Sequence, residues 1–185
     1  WVENNDTSIS YGWETFTVEG GEYALCWCHQ LNGQSCNNPT DFQVLAGWMY
    51  VIGPSLPEKV YLVLGRTYQS EGPLGGYALS ATIDKLKLMT SCESGDFKRA
   101  TESNTEGDVT WKISSSDSLL YSFGSDPLSL EPSTSYSICW CRVDDGYTCE
   151  SEEDFKALAV DLAVEGPQLG QEYYCFVGQP CALLE

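Results

Sequence analysis

The sequence predicts an all-β chain of tandem β-sandwiches that are stapled by disulfide bonds. Three observations support this class. A Tyr-x-x-Cys-Trp-Cys motif occurs twice, at residues 23–28 and 136–141. Hydrophobic and polar residues alternate over short stretches, for example at Leu86 and Leu88 and again at Val109, Trp111 and Ile113, as they do in half-buried strands. Glycine and proline interrupt these stretches often, which is typical of sandwiches with many turns.

The motif belongs to a longer internal repeat. Setting Cys26 on Cys139 gives an offset of 113 residues, which holds without a gap from residues 23–65 to residues 136–178. A period of this length indicates a repeated domain rather than a solenoid. We therefore expect residues 1–56 to be the C-terminal half of a sandwich, 57–167 a complete sandwich, and 168–185 the start of a third. The chain is then a window on a longer tandem array.

Composition limits the compartment and the partners. The net charge is −18 with nine lysines and arginines, which argues against binding nucleic acid or an anionic membrane through a basic patch. Nine clustered cysteines predict disulfides and an oxidising, extracellular compartment. Zinc is the rival interpretation, but Cys-x-Cys lacks the usual ligand spacing and His29 is the only histidine. No apolar stretch is long enough to span a bilayer, so direct membrane insertion is not expected.

Residues 151–164 are compatible with a helix or a strand. Ser151 could cap a helix with Asp154 three residues later. The earlier copy, residues 38–51, carries Gly47 and ends in a run that favours a strand. Both copies are therefore predicted to be the last strand of a unit. One face of each is expected to carry Leu158, Val160, Leu162 and Val164, or correspondingly Leu45, Gly47, Met49 and Val51.

The second motif copy lies in a segment that resembles the tyrosine corner of fibronectin type III and immunoglobulin-like sandwiches. The spacing Leu-x-Pro-x-Thr-x-Tyr-x-Ile occupies residues 130–138, whereas the first copy keeps only Tyr23. In those domains the tyrosine hydroxyl bonds back to the chain before its strand. The resemblance implies Ig-like sandwiches with Tyr136 and Trp140 turned to the core. Cys139 and Cys141 then face the other way, so their bridges are expected outside the core.

Turn chemistry favours one set of disulfide pairs. Asp145-Gly146 and Asn32-Gly33 are dipeptides preferred in two-residue hairpin turns, and such a turn brings the third cysteine of each copy near the second. The favoured pairs are Cys141–Cys149, Cys28–Cys36 and Cys92–Cys139. Pairing Cys139 with Cys149 and Cys141 with Cys92 stays open, because sequence does not fix connectivity.

The remaining cysteines follow from the repeat frame. Cys175 and Cys181 fall on Leu62 and Tyr68 of the second unit, so both are missing there together, as a bonded pair would be. We predict a disulfide between them. Cys26 lacks a counterpart of Cys92 and is expected to be unpaired, or bonded to residues or a chain outside this sequence.

The whole set of motifs resembles large tandem-repeat extracellular proteins of single-celled eukaryotes. The set combines Tyr-x-x-Cys-Trp-Cys, a glycine turn, a further cysteine, Asp-Phe, Gly-Pro and Cys-x-x-Gly-x-x-Cys. Mastigoneme-type flagellar filament proteins and cysteine-rich surface proteins of alveolates are examples. The resemblance implies a secreted, non-enzymatic, structural array at the cell surface or flagellum. Its partners are other copies or neighbouring repeats, and no cofactor is expected.

A second hypothesis is an adhesion module that binds glycans or a surface partner. The other face of the first copy's last strand is expected to carry Phe42, Val44, Trp48, Tyr50 and Ile52. Trp48 and Tyr50 are the interface candidates. Packing of these aromatics on the missing half of the same domain is the alternative.

Three further possibilities carry less support. Acidic residues between Asp144 and Asp154 could bind Ca²⁺, although a solvated acidic face is the simpler interpretation. The sequon at Asn5 permits N-glycosylation. An enzyme is not expected, because the unrepeated His29 excludes a repeated histidine-based triad, while a carboxylate dyad stays open.

Overall fold

The computed structural model describes residues 2–5, 8–11, 18–29, 36–55, 58–93, 96, 98, 100, 101, 107–113, 119–132, 134–144, 146–167, 172, 174, 175, 177 and 178. Within these ranges the chain forms twelve β-strands and two 3₁₀ turns and no α-helix, which confirms the all-β class. None of the described residues belongs to a helix long and apolar enough to cross a membrane.

The strands are β1 (Val2–Asn5), β2 (Ser8–Tyr11), β3 (Gly21–Trp27), β4 (Val44–Val51), β5 (Gly53–Pro54), β6 (Glu58–Val63), β7 (Gly76–Tyr77), β8 (Asp84–Met89), β9 (Asp108–Ile113), β10 (Leu119–Ser122), β11 (Ser135–Arg142) and β12 (Ala157–Glu165). The 3₁₀ turns are Pro39–Asp41 and Glu152–Asp154.

Six strands form the largest sheet, in the order β10-β9-β8-β11-β12-β6. All neighbours are antiparallel except β12 and β6, which are parallel. The segment after β6 reaches β10 at the other end of the sheet, because the amide of Ser70 donates to the carbonyl of Tyr121 and that of Leu74 to Leu119. The sheet is therefore curled, and its two ends meet through residues 69–74.

The inner face of the curled sheet encloses the main core. Leu62, Leu88, Ile138 and Leu162 come from four neighbouring strands and have no exposed surface. Their side chains share a face because alternate residues of a strand point the same way. Burying such a side chain contributes about 1.5–3 kcal/mol, so this face supplies most of the apolar stabilisation of the sheet.

The tyrosine at the start of β11 bonds back to the chain as the corner motif predicts. The hydroxyl of Tyr136 accepts a hydrogen bond of 3.1 Å from the amide of Glu131. In the first copy the hydroxyl of Tyr23 donates to the carbonyl of Glu19 at 2.8 Å. Both tyrosines therefore bond to the segment before their strand, but one accepts and the other donates.

Residues 151–165 form a single 3₁₀ turn followed by a strand. The carboxylate of Asp154 accepts hydrogen bonds from the amides of Glu150 and Ser151, and these bonds lower the pKa of Asp154. The capping residues that suggested a helix are thus used for one turn, after which β12 begins at Ala157.

A bulge in β12 corrects the predicted face of this strand. Ile138 pairs with Val160 but Cys139 pairs with Leu158, so Ala159 is an extra residue. An extra residue resets the alternation of side chains. Leu158 therefore leaves the buried face that carries Val160, and 38% of its surface is exposed.

Short glycine-rich strands join the β3–β4 hairpin to the large sheet. β5 directly follows β4 and pairs with β7, and the amide of Gly20 donates to the carbonyl of Pro54 at 2.8 Å. A Cβ on Gly20 or on Gly76 would overlap the carbonyl oxygen of Gly53. Only glycine permits this close approach of three backbone segments. We call this contact of Gly20, Gly53 and Gly76 the glycine junction.

Candidate interaction surface

The cysteines of the second motif build a small buried cluster on the face of the sheet opposite the main core. Cys139 has no exposed surface and Cys141 is 6% exposed. The cluster is completed by Met89, Phe155, Cys92 and Cys149. The expectation that these bridges lie outside the core therefore needs correction. They lie outside the main core but form a second one.

Three disulfide bonds are present in the described part of the chain: Cys28–Cys36, Cys92–Cys139 and Cys141–Cys149. They are the pairs that turn chemistry favours, and the alternative pairing of Cys139 with Cys149 does not occur. Cys26 is a free, exposed cysteine. Cys175 is disulfide-bonded, while Cys181 lies outside the described residues.

A buried carboxylate fixes the edge between β8 and β11. Asp84 has no exposed surface; its carboxylate accepts the amide of Ser80 at 2.6 Å and lies 3.4 Å from the guanidinium of Arg142. Burial raises the pKa of Asp84, and the Ser80 bond and the Arg142 charge offset only part of that rise. The same guanidinium donates to the carbonyl of Ala78 at 3.0 Å, so it joins β11 to the segment before β8.

The β3–β4 hairpin reproduces the β11–β12 hairpin position by position. Glu22 pairs with Tyr50 and Trp27 with Val44, as Ser135 pairs with Ala163 and Trp140 with Ala157. The bulge recurs too, because Leu25 pairs with Gly47 but Cys26 pairs with Leu45. All of these pairs are related by the same offset of 113 residues.

Other local features recur at the same offset. Each copy has a three-residue 3₁₀ turn with a capping box, at Pro39–Asp41 and Glu152–Asp154. Each has a disulfide between cysteines eight positions apart. A two-stranded hairpin also precedes each, β1–β2 in the first case and β9–β10 in the second. The two halves therefore share register, bulge, turn and staple.

The first hairpin differs from the second in how much apolar surface it leaves exposed. Trp48 is 56% and Tyr50 57% exposed, and their counterparts are Asp161 and Ala163. The bulge places Leu45 on the side of Trp48 and moves Val44 to the other side. This corrects both predicted faces of β4. We call Leu45, Trp48, Tyr50 and Ile52, all exposed large apolar residues, the β4 surface.

One end of the β4 surface contacts the glycine junction. The ring of Tyr50 stacks on that of Tyr77 with centroids 5.9 Å apart. The hydroxyl of Tyr77 donates to the carboxylate of Glu22 at 3.0 Å, and this bond raises the pKa of Tyr77. Trp48 and Leu45 lie farther from the junction along β4, so they form the accessible part of the surface.

A cleft of about 340 Å³ lies where the ends of the large sheet meet. Tyr68, Ser70, Tyr121 and the acidic Glu58 and Glu71 line it. Burial raises the pKa of Tyr68 and of Tyr121, so both hydroxyls stay protonated at neutral pH. The cleft is acidic at its rim and aromatic at its base.

The other predicted sites are less informative. Within the described ranges no three or more histidine, cysteine or acidic side chains are grouped to hold a metal ion, and Asp145 of the acidic segment lies outside them. The ring of His29 stacks on Trp27 at 5.3 Å. Asn5 ends β1, while the rest of its sequon, residues 6 and 7, is outside the described residues.

Comparison with known proteins adds no relative. No protein family, no curated protein and no solved structure matches this chain. The site therefore rests on its own geometry. Sequence reasoning missed Asp84 and the glycine junction; the adjacent glycines at 20–21 and 75–76 were the only signal of the junction, and they resemble ordinary turns.

Proposed function

We propose that this chain is a structural, non-enzymatic segment of an extracellular filament or cell-surface coat protein, built from tandem Ig-like units. The observation that carries the proposal is the equality of the two hairpins in register, bulge, turn and disulfide. Two copies of one unit in series are what a tandem array requires. The partners are then neighbouring repeats or other copies of the protein.

The glycine junction supports a fixed geometry between successive units. Backbone hydrogen bonds and a three-glycine contact hold the first hairpin against the large sheet, where a flexible linker would allow free rotation. The counterpart of Gly53-Pro54 is Gly166-Pro167. Gly166 has a φ of +158°, close to the +152° of Gly53, but it is exposed. It is the place where we expect the next unit to dock.

The disulfides support the compartment. Three bonds in the described part of the chain indicate an oxidising environment, extracellular or secretory. A flagellar location, with the protein as a mastigoneme-type component, is the more specific proposal.

Electron microscopy of the intact protein tests the structural role. We expect linear or lattice assemblies whose repeat corresponds to one unit of about 113 residues. Gly20→Ala should make the assemblies irregular because it disrupts the junction, and Gly47→Ala, which meets no atom within 4 Å, is the matched control. Isolated monomers under all solution conditions would contradict the role.

A second candidate function is adhesion to glycans or to a surface protein through the β4 surface. The observation that favours it is the exposure of Trp48 and Tyr50 where the second copy has Asp161 and Ala163. Glycan-array binding should be abolished in Trp48→Ala and kept in Tyr147→Ala, which removes an exposed aromatic elsewhere. Repeating the array with a Ca²⁺ chelator tests whether the binding depends on calcium. Equal binding by both variants would exclude this surface.

A further inference from the structure

The two copies of the hairpin differ in what covers their outer edges. In the second copy, β8 pairs antiparallel with the outer edge of β11, and β6 pairs parallel with the outer edge of β12. In the first copy, no strand in the described part of the chain pairs with the outer edge of β3 or of β4. Unpaired edges are templates for a further strand.

Side chains at the same positions show what the missing strands would bury. Cys139 has no exposed surface, while its counterpart Cys26 is exposed. Phe155 is 2% exposed and its counterpart Phe42 is 40% exposed. In the second copy Cys139 is covered by the strand that ends at Met89 and bonded to Cys92 just beyond it. The first copy thus presents half of an interface whose complete form is visible in the same molecule.

We infer that the β3–β4 hairpin is completed by a cysteine-bearing strand of the β8 type, which pairs antiparallel with β3, supplied by another unit of the same repeat. A β6-type strand then lies parallel to β4. This inference rests on the proposed tandem array and names the partner of its open end.

The register of the completed edge follows from the second copy. Ile138 pairs with Leu88 and Cys139 with Lys87, so Leu25 of β3 faces a residue of the Leu88 type and Cys26 one of the Lys87 type. The partner cysteine lies five positions beyond that lysine, as Cys92 does. Apolar side chains at the Leu86 and Leu88 positions would cover the inner side of β3.

The covalent step is a thiol–disulfide exchange that needs no oxidant beyond a small-molecule disulfide. The Cys26 thiolate attacks the partner cysteine, which is already in a mixed disulfide with a small thiol such as glutathione. The new sulfur–sulfur bond forms as the old one breaks, and the small thiol leaves with the electron pair of the broken bond and is then protonated.

The test uses the full 185-residue chain and a synthetic peptide of residues 82–93 that carries glutathione on Cys92. Mass spectrometry follows the rate of the Cys26–peptide adduct. One control peptide has the same composition in scrambled order with the cysteine kept in place. Another replaces Leu86 and Leu88 by Asp. The Cys26→Ser chain shows whether the adduct forms at this thiol.

We expect the matched peptide to react at least about tenfold faster than either control, because pairing raises the effective concentration of the two sulfurs. Hydrogen exchange of the adduct should show new amide protection along β3. Rates within twofold of each other, or a Cys26–Cys26 dimer formed ahead of the adduct, would overturn the inference.

These outcomes are separable from the test of the proposed function. Regular assemblies in the microscope together with equal peptide rates would leave the structural role and reject strand completion. A fast matched peptide with only isolated monomers would do the reverse.

Discussion

At the scale of single residues, the structure depends on polar groups that are buried with their partners. Asp84 is the clearest case, since its carboxylate is enclosed between β8, β11 and the segment at Ser80. Tyr136 is another, because its hydroxyl satisfies an amide that water does not reach freely. Each of these groups makes a prediction that a matched variant can test.

The raised pKa of Asp84 predicts a specific dependence of stability on pH. The folded state holds this proton more tightly than the unfolded chain does, so the contribution of Asp84 to stability is fully present below the ordinary pKa of about 4. It is lost as pH rises through the higher folded-state pKa. The free energy of unfolding of the wild type minus that of Asp84→Asn should therefore fall as pH rises from about 4.

Urea denaturation at half-unit pH steps measures this difference, and the subtraction cancels the carboxylates common to both proteins. A difference that stays constant, or that grows with pH, would show that burial does not dominate the environment of Asp84.

Removing the corner hydroxyl predicts unequal costs in the two copies. Tyr136→Phe leaves the amide of Glu131 without its acceptor, and Tyr136 is 2% exposed, so we expect a loss of about 1–2 kcal/mol. In Tyr23→Phe the group left behind is a carbonyl at an exposed site, and we expect less than about 0.5 kcal/mol. Chemical denaturation measures both; equal losses would mean that burial does not distinguish the two corners.

At the scale of elements, the staples and the hairpins carry the architecture. The Cys92–Cys139 bond closes a separation of 47 residues, whereas Cys141–Cys149 closes one of 8. Both bonds meet in the second core, so their burial is similar and loop length is the main difference between them.

Loop length predicts the order of disulfide contributions. Replacing Cys92 and Cys139 by Ser should cost about 4 kcal/mol and replacing Cys141 and Cys149 about 2.5–3 kcal/mol, from the entropy of the unfolded loop. Thermal unfolding of the two double variants measures the order. If the short-loop variant were the less stable one, native-state packing rather than chain entropy would set these contributions.

Much of this element-level structure follows from the sequence, but not the bulges or the junction. The strand alternation, the corner tyrosine and the favoured cysteine pairs depend on local spacing, which a sequence displays directly. The bulges fall at Ala46 and Ala159, which carry no glycine or proline signal, so the predicted faces of Leu45 and Leu158 were wrong. Gly20 is constrained by Gly53, thirty-three positions away, and no local pattern reveals such a contact.

At the scale of the whole molecule, the question is whether the first hairpin and the large sheet move as one body. The amide of Ser55 donates to the carbonyl of Gly75 at 3.0 Å, next to the glycine junction. This bond opens only if β5 separates from β7, so its hydrogen exchange reports the coupling between the two parts.

Gly20→Ala is predicted to uncouple the two parts without unfolding either. The added methyl would overlap the carbonyl of Gly53, and the backbone must separate to relieve it. We expect exchange at the Ser55 amide to become at least about tenfold faster, which corresponds to about 1.4 kcal/mol, while Leu88 and Ile138 in the main core keep their protection. Gly47→Ala adds the same methyl within the same hairpin and meets no atom within 4 Å, so it should leave the Ser55 amide unchanged. If both variants changed that amide equally, the junction would be a loose contact and the fixed geometry between units would have to come from elsewhere.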